Sequence, residues 1–447
     1  MAHFRFNLQP LVGSVNISNV NQKRIKVGNL LIYSCFFMYM MSMAVKGIVS
    51  AEMAFLKELW KMSYTETSLS NAFYFVIYGL VQVFLFIFMK KINMRKFLAV
   101  TIPLSAVCAI LMGTSTGKYQ MWAYFGLTGA FQAGLFSGCN QLLTACLPNE
   151  LLSKGNRFMN LGYAFGTVLA YTLCGIFVSI GGWRVPYFLI GAIYLLSFVA
   201  FFLVSGFAIR FKRINEIFNT NTTDKTAKQL SDTENDPLFT LETKKKKVLF
   251  YTIDLILTFT ITALYYCLMN NVTLFLKDVH GLSDDISIYV SIIAPITIAI
   301  GPMMTITACN RDRNFIRQAL IFMLVVVPIP FLMIFLYDAF ILIPLALTIA
   351  FVVLTNGVKS IAISIITFKM RKYINSGAYS AISNATASVA AGVMPVVLGR
   401  LLDVLGWQTM YVVTFAIALL LTVAILIINI FVTKADKKRH ALIGENI

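Results

Sequence analysis

Apolar residues run in stretches of about 20 from near one end of the chain to the other, interrupted only by short polar or charged segments. A helix rises ~1.5 Å per residue, so a run of that length matches the hydrocarbon thickness of a bilayer. The runs lack the apolar–polar alternation of barrel strands, and in lipid every backbone amide must be paired within its own segment or around a closed barrel. The pattern therefore predicts membrane-spanning helices. Runs bounded by charge or turn residues give twelve spans, near 28–52, 67–89, 97–116, 119–146, 158–180 and 185–207, then near 248–274, 286–309, 319–337, 340–367, 378–402 and 409–432. The expected fold class is an all-α polytopic membrane protein. Two six-helix bundles occupy 28–207 and 248–432, with an N-terminal arm at 1–27, a polar central linker at 208–247 and a tail at 433–447.

Composition agrees with lipid as the solvent. The 447 residues are 58% hydrophobic and 13% charged, too little charge to cover a soluble surface of this size. The formal net charge of +18 does not read as a nucleic-acid patch, because its basic residues fall in short clusters between apolar runs. On one side lie Lys23, Arg24 and Lys26, then Lys90, Lys91, Arg95 and Lys96, then Lys154 and Arg157. The same side takes the basic linker ending in Lys244 to Lys247, then Arg311, Arg313 and Arg317, then Lys369, Arg371 and Lys372. With the tail (Lys434, Lys437, Lys438, Arg439), this side holds 29 of the 37 Lys and Arg. Six lie on the other: Lys57, Lys61, Lys118, Arg184, Lys277 and Arg400. That bias predicts a multi-pass protein of the cell membrane with both termini and the central linker in the cytoplasm. Trp60, Trp122, Trp183 and Trp407 all fall at the outer ends of spans, where amphipathic rings prefer the interface. The first apolar run lacks a small-residue cleavage site and reads as a retained helix.

An internal repeat survives. Asn160 to Tyr187 lies on Asn384 to Tyr411 without a gap, matching Asn160 with Asn384, Gly175 with Gly399, Gly182 with Gly406, Trp183 with Trp407 and Tyr187 with Tyr411. The shared G-W-x-x-x-Y turn joins the fifth and sixth spans of each half, a parallel repeat.

Ionisable groups in hydrocarbon cost several kcal/mol, so the few inside spans are the functional candidates. Lys46 and Lys359 carry no evident acid partner, which favours an anionic substrate; the alternative for each is snorkelling to an interface. Glu52 and Asp254 are candidates for coupling to protons. Candidate polar contacts are Asn160, Tyr163, Tyr265, Tyr266, Asn270 and Asn384. Asn71, Tyr74, Tyr78, Asn140, Gln141, Asn271 and Asn356 are further polar groups in spans, where interhelical hydrogen bonding is the competing role. No His stands in a span, which excludes a His proton relay. No phosphate-cradling glycine loop, Walker lysine or H-E-x-x-H appears, and the seven Cys form no C-x-x-C pair. Neither catalytic residues nor a metal or cofactor are expected, and transport must draw on gradients.

The chain resembles the major facilitator superfamily over essentially its whole length. Within it, the stretch Y-M-M-S-M-A-V-K-G-I-V-S-A-E-M-A-F-L-K-E-L resembles the first span of the organophosphate:phosphate antiporters, with Lys46 at the place of a substrate-binding Arg. The segment N-N-V-T-L-F-L-K-D-V resembles that branch at the end of the seventh span. Counting back from it puts Tyr265 where a second phosphate-binding Arg is expected, and Tyr163 falls at the place of a functional His. Lys is a point charge where Arg offers a bidentate fork. The loop F-I-F-M-K-K-I-N-M-R-K-F keeps the basic residues of the superfamily signature G-x-x-x-D-R-x-G-R-R and lacks its Gly and Asp. The resemblance implies a secondary transporter working by alternating access on a small organic anion, a carboxylate or a phosphate ester, against a counter-transported anion or a proton. A proton-driven exporter of hydrophobic compounds and a transporter-like membrane sensor are the rival readings.

Overall fold

The structure, a computed structural model, describes residues 17–88, 92–218, 244–297, 300–311, 314–366 and 376–444. Lys90, Lys91, Arg313, Lys369, Arg371, Lys372 and most of the central linker lie outside the described residues. Among the described residues every regular element is helical. The first half contains α1 (Ile17–Ala51), a short α2 (Met53–Leu59), α3 (Tyr64–Phe88), α4 (Met94–Gly113), α5 (Lys118–Gln132), α6 (Leu135–Cys146), α7 (Asn149–Ser179) and α8 (Val185–Phe218). The second contains α9 (Lys244–Met269), α10 (Val272–His280), α11 (Asp284–Ser291), α12 (Ile293–Thr297), α13 (Ile300–Arg311), α14 (Phe315–Val326), α15 (Pro328–Leu336) and α16 (Leu342–Ser360). A π-helical segment (Ile361–Ile365) and the long α17 (Ser376–Gly444) follow.

Ten helical stretches of the described residues are long and apolar enough to cross a membrane, α11 to α13 counting as one and α14 with α15 as another. One of these is the apolar part of α17, where Gly406 (φ 77°, ψ −178°) joins two helices at an angle. A side chain at that left-handed φ would be strained, so glycine marks the joint between the eleventh and twelfth spans. The fourth span is interrupted at Ala133–Gly134, so neither α5 nor α6 alone reaches spanning length. Separating α17 and rejoining α5 with α6 gives twelve spans. Several helices overrun their apolar windows, as α8 does to Phe218, because hydropathy marks the lipid while helical hydrogen bonding continues into water. Pro328 ends α14 and opens α15, where its missing N–H is harmless.

Large apolar side chains such as Leu196, Leu203, Leu420 and Phe431 point outward, as lipid permits. Inside the first half, α7 crosses α1 in backbone contact. A Cβ added at Gly166 would stand 2.1 Å from the Met40 carbonyl oxygen, so only glycine allows the crossing.

The repeat is visible in three dimensions. In the first half the Phe55 ring lies 6.2 Å from Trp183, which lies 6.1 Å from Tyr187. In the second, Phe275 lies 5.3 Å from Trp407 and 6.1 Å from Tyr411. Phe55 and Phe275 belong to a second match, A-F-L-K-E-L at 54–59 on L-F-L-K-D-V at 274–279. This match was readable in the sequence, but its offset of 220 residues differs from the 224 of the G-W-x-x-x-Y turns, so no gap-free alignment contains both. Carried back along the first and seventh spans, the 220 offset places Tyr266 at the position equivalent to Lys46.

Candidate functional site

Lys46 and Lys359 come from opposite halves and reach one group of aromatic rings. Lys46 Nζ donates to Tyr163 Oη at 3.3 Å. Ring centroids surround the same ammonium: Phe75 at 4.4 Å, Tyr163 at 5.2 Å, and Tyr74 and Tyr266 each at 5.8 Å. Lys359 Nζ lies 3.8 Å from the Tyr265 ring and 5.4 Å from Tyr266. Tyr266 therefore faces both ammonium groups, and it meets Tyr265 edge-on at 4.8 Å. Each ring face offsets part of a half-buried positive charge, by about 0.5–2 kcal/mol. Among the described residues no carboxylate stands within ion-pair distance of either lysine.

Five of the eight sequence candidates for substrate contact thus share one cluster: Lys46, Tyr163, Tyr265, Tyr266 and Lys359. Asn270 is buried one turn past Tyr266, at the break between α9 and α10, with its Nδ2 unpaired. Asn160 sits one turn before Tyr163 on α7 and is exposed, while Asn384 is half-buried on α17. Beyond Lys359 the tenth span changes from α to π winding at Ile361–Ile365. Such bulges recur at functional sites.

The two carboxyl candidates stand apart from the lysines. Glu52 is fully buried at the break between α1 and α2, beside Tyr187 and Cys174, with both oxygens outside hydrogen-bond geometry. Asp254 is buried on α9, where the Tyr379 hydroxyl of α17 donates to its Oδ2 while Oδ1 has no partner.

Sequence reasoning passed over Gln132. This amide, 2% exposed at the end of α5, accepts from Tyr74 Oη at 2.8 Å. Its Nε2 donates to the Ser42 carbonyl at 3.3 Å and to Ser105 Oγ at 3.1 Å. Ser42 lies one turn before Lys46, and Tyr74 supplies one of the rings around it, so Gln132 ties the supports of the site together. The readable signal was an amide in an apolar run just ahead of a glycine. Phe75 was missed because one more aromatic in a span looks like core. Gln132→Leu leaves the Tyr74 and Ser105 hydroxyls without that partner, and a loss of about 1–3 kcal/mol is expected. A melting temperature unchanged from the parent in nanodiscs would contradict this account.

Twelve spans in two repeated halves, with half-buried charges brought together from both, define a polytopic membrane carrier. The chain belongs to the Major Facilitator Superfamily, whose family model matches residues 35–382. That membership makes it a multi-pass integral membrane transporter rather than an enzyme. Solved structures of similar fold include a bacterial homolog of the human lysosomal transporter Spinster in inward-facing conformations. The occupied form is 11% identical with TM-score 0.66, covering 89% of this chain and 95% of that one. The unoccupied form is 12% identical with TM-score 0.68, covering 89% and 96%. The nucleoside transporter NupG is likewise similar, at 12% identity and TM-score 0.60, covering 89% and 98%. At these identities the likeness is one of fold. No curated protein sequence matches the chain.

Proposed function

We propose that the protein is a secondary transporter of a small organic anion, a carboxylate or a phosphate ester, moved by alternating access between the two six-helix bundles. The observation that carries this reading is the convergence of Lys46 and Lys359 on Tyr266, with no carboxylate among the described residues at ion-pair distance from either. Two positive charges in a low-dielectric interior are costly unless compensated. An anion held between them compensates both and couples the two halves. The tyrosine hydroxyls of Tyr163, Tyr265 and Tyr266 supply neutral donors for the remaining oxygens, and Asn160, Asn270 and Asn384 are further polar contacts along the path. Lys lacks the fork of Arg, so the site suits carboxylate and phosphate geometries alike. The resemblance of the first span to the organophosphate:phosphate antiporters, with Lys46 in the place of a binding Arg, supports the same class. The excess of Lys and Arg on one side supports a cell-membrane orientation with both termini in the cytoplasm. A counter-transported anion or a proton supplies the driving gradient, with Glu52 and Asp254 as proton-carrying candidates.

The test is a panel of phosphorylated sugars, monocarboxylates, dicarboxylates and uncharged nucleosides, applied to protein reconstituted in liposomes. The nucleosides serve as the contrast because a nucleoside transporter shares the fold. Thermal stabilisation and uptake are expected for an anion. Stabilisation by nucleosides alone would sink the reading. Lys359→Ala should weaken the stabilising anion by roughly 10- to 100-fold, the worth of a hydrogen bond to a charged group. Unchanged affinity in that variant would remove Lys359 from the site.

A further inference from the structure

The two copies of F-L-K-acid meet at the membrane face opposite the chain ends. Lys57 Nζ lies 3.4 Å from Asp278 Oδ2, and Lys277 Nζ lies 2.6 Å from Glu58 Oε2. Each half offers one base and one acid, and each finds its opposite at the equivalent position of the other half. A two-fold relation between halves produces this reciprocity, as it does across a two-fold dimer interface. Tyr64 Oη donates to Asp278 Oδ2 at 2.7 Å, and the Lys57 ammonium stands 3.6 Å from the Tyr64 ring centroid. Lys277 is also bonded within its own half to Asp284 at 2.6 Å. Burial works against the charge on Lys277, but its bonds to Asp284 and Glu58 outweigh that and hold its ammonium above the ordinary lysine range.

A third tie lies alongside. Asp403, from the second half, accepts from the backbone N–H groups of Tyr64 at 2.7 Å and Thr65 at 3.0 Å. It also accepts from Thr65 Oγ1 at 2.5 Å. These amides open α3 in the first half, so the carboxylate caps a helix that belongs to the opposite bundle. Nothing within α3 requires that cap to come from across the interface.

All three ties join the two halves at one face, and none survives if the halves part there. Alternating access requires that parting in one of its two states. We infer that the duplicated F-L-K-acid motif, with Asp403, is a latch that closes this face and biases the protein toward the state open on the side of the chain ends. Its strength fits the task. Ion pairs exposed to water are individually weak, so the set shifts the ratio of the two states by roughly 10- to 100-fold. That is enough to set a resting state and little enough for ligand binding to reverse.

The test reads the distance across this face directly. Spin labels are placed at Tyr119→Cys, at the start of α5, and at Phe340→Cys, between α15 and α16, both exposed positions. Cys146 and Cys309, the two cysteines not fully buried, are changed to Ser. Pulsed electron resonance on the full chain in nanodiscs should give one short distance for this background. Asp278→Lys leaves Lys57 facing a second cation with Glu58 and Asp284 already engaged by Lys277, and should raise the long-distance population at least about tenfold. The double exchange Lys57→Asp with Asp278→Lys restores opposite charges across the contact and should return the short distance. A distribution unmoved by the single reversal, or a double exchange that fails to restore it, overturns the latch. If Asp278→Lys does not fold, Asp278→Asn combined with Asp403→Asn carries the test, and an unchanged distribution there overturns it equally.

Discussion

Lys46→Ala should weaken recognition of the proposed anionic substrate by roughly 30- to 4000-fold. Truncating one member of a desolvated charge pair costs about 2–5 kcal/mol, because the other charge is left buried and unmatched. Here the loss reaches further than one contact. The Tyr163 hydroxyl loses its donor, and the ring faces of Phe75, Tyr74 and Tyr266 lose the cation they surround. Lys359 alone would then face the bound anion. Lys46→Arg keeps the charge but must fit a planar head among rings arranged around a compact ammonium, so an intermediate affinity is expected. Ligand titration of the melting temperature in nanodiscs separates the three proteins. If Lys46→Ala binds the anion as tightly as the parent, Lys46 is a snorkelling residue and the proposed site is wrong.

The second large effect needs only one methyl group. Gly166→Ala puts a Cβ 2.1 Å from the Met40 carbonyl oxygen and 3.0 Å from the Ala44 nitrogen, both backbone atoms of α1. Side chains could swing aside, but a helix backbone cannot, so α1 and α7 must separate. Overpacking of this kind costs about 3 kcal/mol or more when backbone must move. Tyr163 lies one turn from Gly166, so the same displacement pulls its hydroxyl from Lys46. Both a lower melting temperature and weaker anion binding are expected. Gly117→Ala is the control, because Gly117 has an ordinary extended φ of −167° and nothing within 4 Å of its Cβ position. Equal stability of the two variants would mean that α1 and α7 do not cross as closely as described.

Lipid made much of this legible in advance. Because hydrocarbon forbids unpaired backbone, long apolar runs declare their helices, and Lys46 and Lys359 stand out against them. The break at Ala133–Gly134 left no such trace, since the run through the fourth span stays apolar on both sides of it. The meeting of Lys46 with Lys359 was not readable either. It depends on how α1, α9 and α16 pack, and periodicity within one helix carries no information about a neighbour from the other half. Lys57 and Lys277 entered the sequence reading only as loop charges that orient the chain. Their pairing with Asp278 and Glu58 appears once the two bundles face each other. Tyr379 beside Asp254 is another partner separated by too many residues to be anticipated.

Tyr266 occupies in the second repeat the position that Lys46 holds in the first, and the two now lie against each other near the axis relating the halves. Duplication began with identical occupants at such a pair, so one position has since diverged. A site with matching charges on both sides of the axis would accept a ligand head-first or tail-first with equal ease. On the proposed anion reading, Lys46 has a phenol as its equivalent across that axis while the second ammonium, Lys359, comes from α16, so the two sides differ and a bound anion would have a defined polarity. On that reading, discrimination among anions would rest on the neutral groups beside the two ammonium groups, and libraries meant to change the preferred cargo should be built around Tyr265, Tyr266 and Asn270 before either lysine is touched.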